Sequence, residues 1–144
     1  MIKALEDAKK LHQLQMSKIE QLIEGKKIEH PTAVGKMDCE CGSWFYSNKD
    51  KMVAILGLQL FERLDNTHEE WHREYSKIYN IFFKEEKKSF FSKLIGSKVD
   101  PLELDKVKLY YSDLRKITES LLHTADSALR RVSALSSEKF KALK

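Results

Sequence analysis

Apolar residues recur at three- and four-residue steps along most of this chain, which is the spacing of one helical face. Leu5, Ala8, Leu11, Met16, Ile19 and Leu22/Ile23 mark an amphipathic helix over residues 2 to 24. Gly25 stands where a C-terminal glycine would close it. Residues 26 to 50 hold Pro31, Gly35, Cys39, Cys41 and Gly42, and predict a structured connection with at most short helical turns. Within it, Trp44-Phe45-Tyr46 follows neither helical nor strand alternation, yet is too apolar to stay in water, so it is expected to cover the Cys39 end of any site. The helical step returns from Lys51 to Leu64 through Met52, Ile55, Leu56 and Leu60. Asp65-Asn66-Thr67 then reads as an interruption, with Thr67 and Glu70 as a capping box that starts a new helix to about Lys88. The inner face of that helix is His68, Trp71/His72, Tyr75, Ile78/Tyr79 and Phe82.

Residues 89 to 99, with Gly96 and Phe90-Phe91, predict a loop. Asp100-Pro101-Leu102-Glu103 is a strong helix start: a capping Asp, Pro at the first position and Glu at the third. No breaker interrupts the pattern from there to the end of the chain, and some 40 residues of helix would run about 60 Å. One small bundle looks too short to cover that length, so its distal half is expected to pair with another chain or to fray. The fold class is therefore all-α, an up-and-down bundle of about four main helices with a long C-terminal helix. No internal repeat or second domain is visible, so residues 1–144 read as one domain.

Composition narrows the function. Two Pro and five Gly with 33% charged residues fit a helical protein. The 26 basic residues are interspersed among 22 acidic ones, a solvated surface rather than a phosphate-tracking stripe, so nucleic acid is not implied. The longest apolar run, Met52 to Leu60, is too short for a bilayer, and the N-terminus turns acidic without a signal-peptide core. A cytoplasmic setting is expected. Cys39 and Cys41 are too close in sequence for ordinary disulfide geometry, which points to metal or redox chemistry in a reducing compartment.

His68 and His72 are four residues apart, so one helix presents both imidazoles on one face. His12 lies seven residues from both Leu5 and Ile19, on the buried stripe. Cys39 comes 27 positions after His12 and 29 before His68, far enough for separate elements to converge. Three imidazoles and one thiolate complete a tetrahedral Zn²⁺ shell, and a closed shell binds and regulates more often than it catalyses. The bland alternatives are a hydrogen-bonded core histidine at His12 and a small buried hydrophobe at Cys39. His30 and His123 read as surface residues. Asp65, Glu69 and Glu70 are solvated cap residues or acceptors for imidazole N–H groups. His68-Glu69-Glu70-Trp71-His72 also resembles the His-Glu-x-x-His protease motif, but that reading leaves Cys39 unexplained. A hemerythrin-like di-iron site needs more histidines than this chain offers.

The segment Cys39-Glu40-Cys41-Gly42-Ser43-Trp44-Phe45-Tyr46 resembles the Cys-x-Leu-Gly-x-Trp-Tyr signature of the bacterial chemoreceptor zinc-binding (CZB) domain. That family also has a His in its first helix, here His12, and a downstream His-x-x-x-His pair, here His68 and His72. The similarity covers about residues 8 to 84, with residues 100–144 as a helical extension. It implies a zinc-binding helical bundle, often homodimeric, that is no enzyme and regulates chemoreceptors or diguanylate cyclases. Chemotaxis or cyclic-di-GMP output would result. Some relatives are reported to sense hypochlorous acid through the zinc-bound cysteine. A third possibility is a constitutive zinc module for dimerisation. Cys41 departs from the signature, which has Leu there, and is a possible redox partner: it would compete for the metal, trap an oxidised Cys39, or only fill space.

Overall fold

The computed structural model describes residues 1–26, 33–83 and 100–135. Five helices and no strand are present among them: α1 (Ile2–Ile23), α2 (Glu40–Ser47), α3 (Lys49–Leu56), α4 (Leu58–Phe83) and α5 (Pro101–Ala134). The protein is an all-α bundle. Three long helices, α1, α4 and α5, form its body, with the two-turn helices α2 and α3 laid against one end.

The termini obey local chemistry. After α1, Gly25 adopts φ +84°, and the N–H groups of Gly25 and Lys26 return to the carbonyls of Leu22 and Gln21 at 3.0 and 2.9 Å. Two otherwise unpaired carbonyls are satisfied by a left-handed residue that glycine alone adopts without strain. At α5, the Asp100 carboxylate accepts the Leu102 N–H at 3.0 Å and Pro101 occupies the first turn, as expected.

Two boundaries differ from expectation. α4 runs unbroken through Asp65-Asn66-Thr67, and the break lies at Gly57, with φ 85°. Thr67 is buried in mid-helix, its hydroxyl donating to the Arg63 carbonyl one turn back at 2.7 Å, so it caps nothing. Weak helix formers cost only tenths of a kcal/mol each, and partners elsewhere in the fold outweigh that. A positive φ ends a helix outright. The second difference is the connection, where residues 40–47 are helical with Cys39 as N-cap. Phe45 is buried there and stacks on Phe61 of α4 at 4.7 Å between ring centroids. The loop expected over 89–99 and the end of the helix expected to reach Lys88 lie outside the described residues.

The long helix also departs from expectation. Leu121, Ala125, Ala128 and Val132, on its distal half, are buried within this one chain. α3 and α4 succeed each other end to end and together run beside α5. Arg131 near the C-terminal end of α5 donates to the Ile55 carbonyl of α3 at 3.3 Å, and Lys77 far along α4 sits over the Tyr110 ring near its start. The small residues Ala125 and Ala128 let the facing helices approach, and no second chain is needed to cover this stripe. Residues 136–144 lie outside the described residues. Among those described, no helix is long and apolar enough to cross a membrane.

Candidate metal centre

The site forms where α1, α2 and α4 meet. The i, i+4 spacing puts His68 and His72 on the inner face of α4, with rings 4.6 Å apart and perpendicular. His12 faces them from α1, its ring 5.2 Å from that of His68. All three are buried. Trp71, wholly buried, packs edge-on against His12 at 4.8 Å and His72 at 4.9 Å and forms the floor. Its indole N–H donates to Thr118 of α5 at 2.8 Å, and the Thr118 hydroxyl in turn reaches the Leu114 carbonyl at 2.7 Å. The floor is thus tied to a third helix.

Hydrogen bonds settle which nitrogen each ring presents. His12 Nδ1 lies 2.8 Å from the Ala8 carbonyl oxygen, and His72 Nδ1 lies 3.0 Å from that of Val34. A carbonyl only accepts, so both Nδ1 atoms carry the proton and both Nε2 atoms carry a lone pair. His68 Nδ1 lies 3.4 Å from the Tyr46 hydroxyl, which donates its proton to Asp65 at 2.5 Å. The phenol oxygen is then the acceptor for His68 Nδ1–H, and His68 Nε2 is free as well. His68 and His72 consequently point Nε2 lone pairs at each other across 3.1 Å. With no proton between them that approach is repulsive, and a shared cation relieves it.

The three histidines offer ligand atoms that all lie within 4.8 Å of one another. Cys39 Sγ sits 3.4 Å from His68 Nε2, on the His68–His72 side. With zinc bonds of 2.0–2.1 Å to nitrogen and 2.3 Å to sulfur, tetrahedral edges are about 3.4 Å for N–N and 3.6 Å for N–S. The separations at His68 are within a few tenths of these; the group whose ligand atoms all lie within reach of one ion is His12, His68 and His72, with Cys39 in reach of His68. Outer partners on each Nδ1 are what metal-ligating histidines require, because they fix tautomer and ring orientation.

Charge agrees. Burial holds His12 down at about 4, against the smaller opposing pull of the Ala8 carbonyl, so its imidazole is neutral at ordinary pH. Cys39 caps α2, its Sγ accepting the Gly42 N–H at 3.1 Å. Its thiol is pulled well below the usual range by a hydrogen bond from Cys41, which outweighs burial. The helix N-terminus favours the same thiolate. Cys41 is pushed up correspondingly, because its proton is held toward Cys39 and it is buried. Asp65 lies below the usual carboxylate range: burial raises it, but the Tyr46 hydroxyl and Lys36, 2.9 Å away, outweigh that.

The roles of three contributors were not read from the sequence, although Gly42 belongs to the signature segment. Tyr46, expected only as cover, links His68 to Asp65. The Val34 carbonyl sits in the turn before Cys39, and nothing local in the sequence marks it. Gly42 is needed for space, since a Cβ there would lie 1.6 Å from the Lys36 carbonyl oxygen. Of the acidic residues considered, Asp65 reaches His68 through Tyr46, and Glu69 faces Lys36 at 3.7 Å. Glu70 is exposed, as is His123, and His30 lies outside the described residues.

Residues 12–79 match the family of the chemoreceptor zinc-binding domain. Over those residues the chain is similar to a CZB domain. The match opens at His12 and spans Cys39, His68 and His72. That match implies a zinc-binding domain with Zn²⁺ as its cofactor, His12, His68 and His72 could form the metal site, and CZB is not a known catalytic family. No curated protein and no solved structure matches the chain.

Proposed function

We propose that His12, Cys39, His68 and His72 hold zinc in a cytoplasmic regulatory module that signals zinc availability or thiol oxidation. Its output would be chemotaxis or cyclic-di-GMP metabolism, reached through a chemoreceptor or diguanylate cyclase partner or the chain's own homodimer. The observation that carries this reading is the convergence of three Nε2 lone pairs, each with its Nδ1 proton committed outward. Bound zinc supplies a cross-link between α1, α2 and α4, so its binding free energy becomes folding free energy for that end of the bundle.

The protein's own groups explain how loss of one ligand would spread. Cys39 is both ligand and cap of α2, so freeing its sulfur loosens the first turn of that helix. α2 carries Tyr46, which orients His68, and the preceding turn carries Val34, which orients His72. A change at Cys39 therefore reaches two further ligands through α2 and residues 33–38. That is a local event biasing the packing of a larger element. Hydrogen exchange of residues 33–47 should slow markedly on adding zinc to metal-free protein. Identical exchange in the two forms would sink the switch.

A redox reading has its own support, because Gly42 N–H and the α2 N-terminus favour the thiolate, the oxidisable form. Dose separates the two. A zinc sensor responds across a range of free zinc, whereas a redox sensor stays loaded until hypochlorous acid or a similar oxidant arrives. A constitutive structural dimerisation module responds to neither. Against a protease, Glu69, which would serve as base, is half-exposed and turned toward Lys36.

A further inference from the structure

Cys41 is a thiol beside the centre that the four-ligand set leaves unused. It sits one residue into α2 past Glu40, within hydrogen-bonding reach of the Cys39 sulfur. It also lines, with His12 and His68, a cavity of about 40 Å³ whose other walls are mainly aliphatic, among them Leu5, Leu64 and Leu121. The two sulfurs thus flank the imidazoles. Cys39 approaches the His68–His72 side, and Cys41 faces the void shared by His12 and His68. A cavity of that size exceeds the roughly 10–15 Å³ that one water needs, which leaves room for a sulfur to change rotamer.

We infer that Cys41 is a second sulfur donor of this centre, able to take the coordination position of Cys39 when that thiol is lost. The inference rests on the zinc reading above and gives the site five donors for four positions. Cys41 would then hold the ion against His12 and His68 from the α1 side, so that modification of Cys39 shifts the centre without emptying it. Two candidate thiolates also suit softer ions, and Cd²⁺ should gain more from Cys41 than Zn²⁺ does.

Co²⁺ is the probe, because a thiolate bonded to it gives a near-ultraviolet charge-transfer band that imidazoles alone do not. The variants are Cys39→Ser, whose hydroxyl can still accept the Gly42 N–H, Cys41→Ser and the double variant. Circular dichroism confirms their helicity. If Cys39→Ser loses helicity, Cys39→Asn, another good N-cap, carries the same readouts. The expected result is a band that persists in Cys39→Ser and vanishes in the double variant. Zinc affinity should fall by about tenfold in the single variant and by on the order of a hundredfold more in the double. In Cys39→Ser, zinc should also protect Cys41 from iodoacetamide. A band lost already in Cys39→Ser, or alkylation of Cys41 indifferent to zinc, overturns the second-donor role while leaving the four-ligand site intact. Wild-type protein that binds neither ion overturns both.

Discussion

Replacing Gly42 by alanine sets two effects of opposite sign against each other. Gly42 is in the first turn of α2, where intrinsic propensity alone would make alanine stabilising by up to about 1 kcal/mol. The new Cβ, however, would lie 1.6 Å from the Lys36 carbonyl oxygen, 2.8 Å from its carbonyl carbon and 3.2 Å from Cys39 Sγ. Both close atoms are backbone, so relief requires α2 and residues 33–38 to separate by roughly 1.5 Å or more. That movement breaks the 3.0 Å bond from His72 Nδ1 to Val34 and strains the 2.9 Å Lys36–Asp65 pair. Overpacking of this kind costs about 1–3 kcal/mol, and loss of an outer partner of a ligating histidine costs about 10–100-fold in metal affinity. Gly42→Ala should therefore weaken zinc binding by at least tenfold and lower the stability of the metal-free protein. Chelator competition measures the first and urea unfolding the second. An affinity within twofold of wild type, with stability raised as propensity alone predicts, would refute the packing argument.

Three further outcomes rest on the same geometry. Tyr46→Phe removes the acceptor for His68 Nδ1–H, and zinc affinity should drop about 10–100-fold in a competition titration with helicity unchanged. Trp71→Phe removes the indole N–H donated to Thr118, whose hydroxyl keeps its bond to Leu114, and shrinks the floor; it should destabilise by about 1–3 kcal/mol in urea, with or without zinc. In metal-free protein His12 titrates at about 4 when folded and near 6.5 when unfolded, so below pH 6.5 the unfolded chain takes up the proton first. Stability should fall progressively from about pH 6.5 to 4, by roughly 3 kcal/mol, and His12→Gln should flatten that limb in urea titrations against pH.

Features that depend on local chemistry were legible in the sequence. His12 announced its burial by sharing a stripe with Leu5 and Ile19, and His68 and His72 announced a common face by their spacing. Gly25 and Asp100-Pro101 marked helix ends because their conformations are nearly independent of context. The features that stayed hidden depend on contacts between distant segments. Asp65 stays helical while held by Lys36 and Tyr46, residues 29 and 19 positions away, and no window around it contains them. Gly57 looked like one more position in an apolar run, since a positive φ leaves no trace in the letters beyond the glycine itself. α2 was legible only as a short helical turn within the connection, because its cap is a cysteine, outside the usual set of capping residues, and its two turns carry too few apolar positions for a period. The distal half of α5 looked uncovered because the helix opposite it is made of two, α3 and α4.

Zinc content by plasma mass spectrometry tests the central claim most directly. Protein purified without tag or chelator would be measured beside the His68→Ala/His72→Ala double variant, which removes the chelating pair. The account predicts about one zinc per chain, as one four-donor site requires, and a near-complete loss in the variant. No zinc in the wild type, or equal zinc in both proteins, would contradict it.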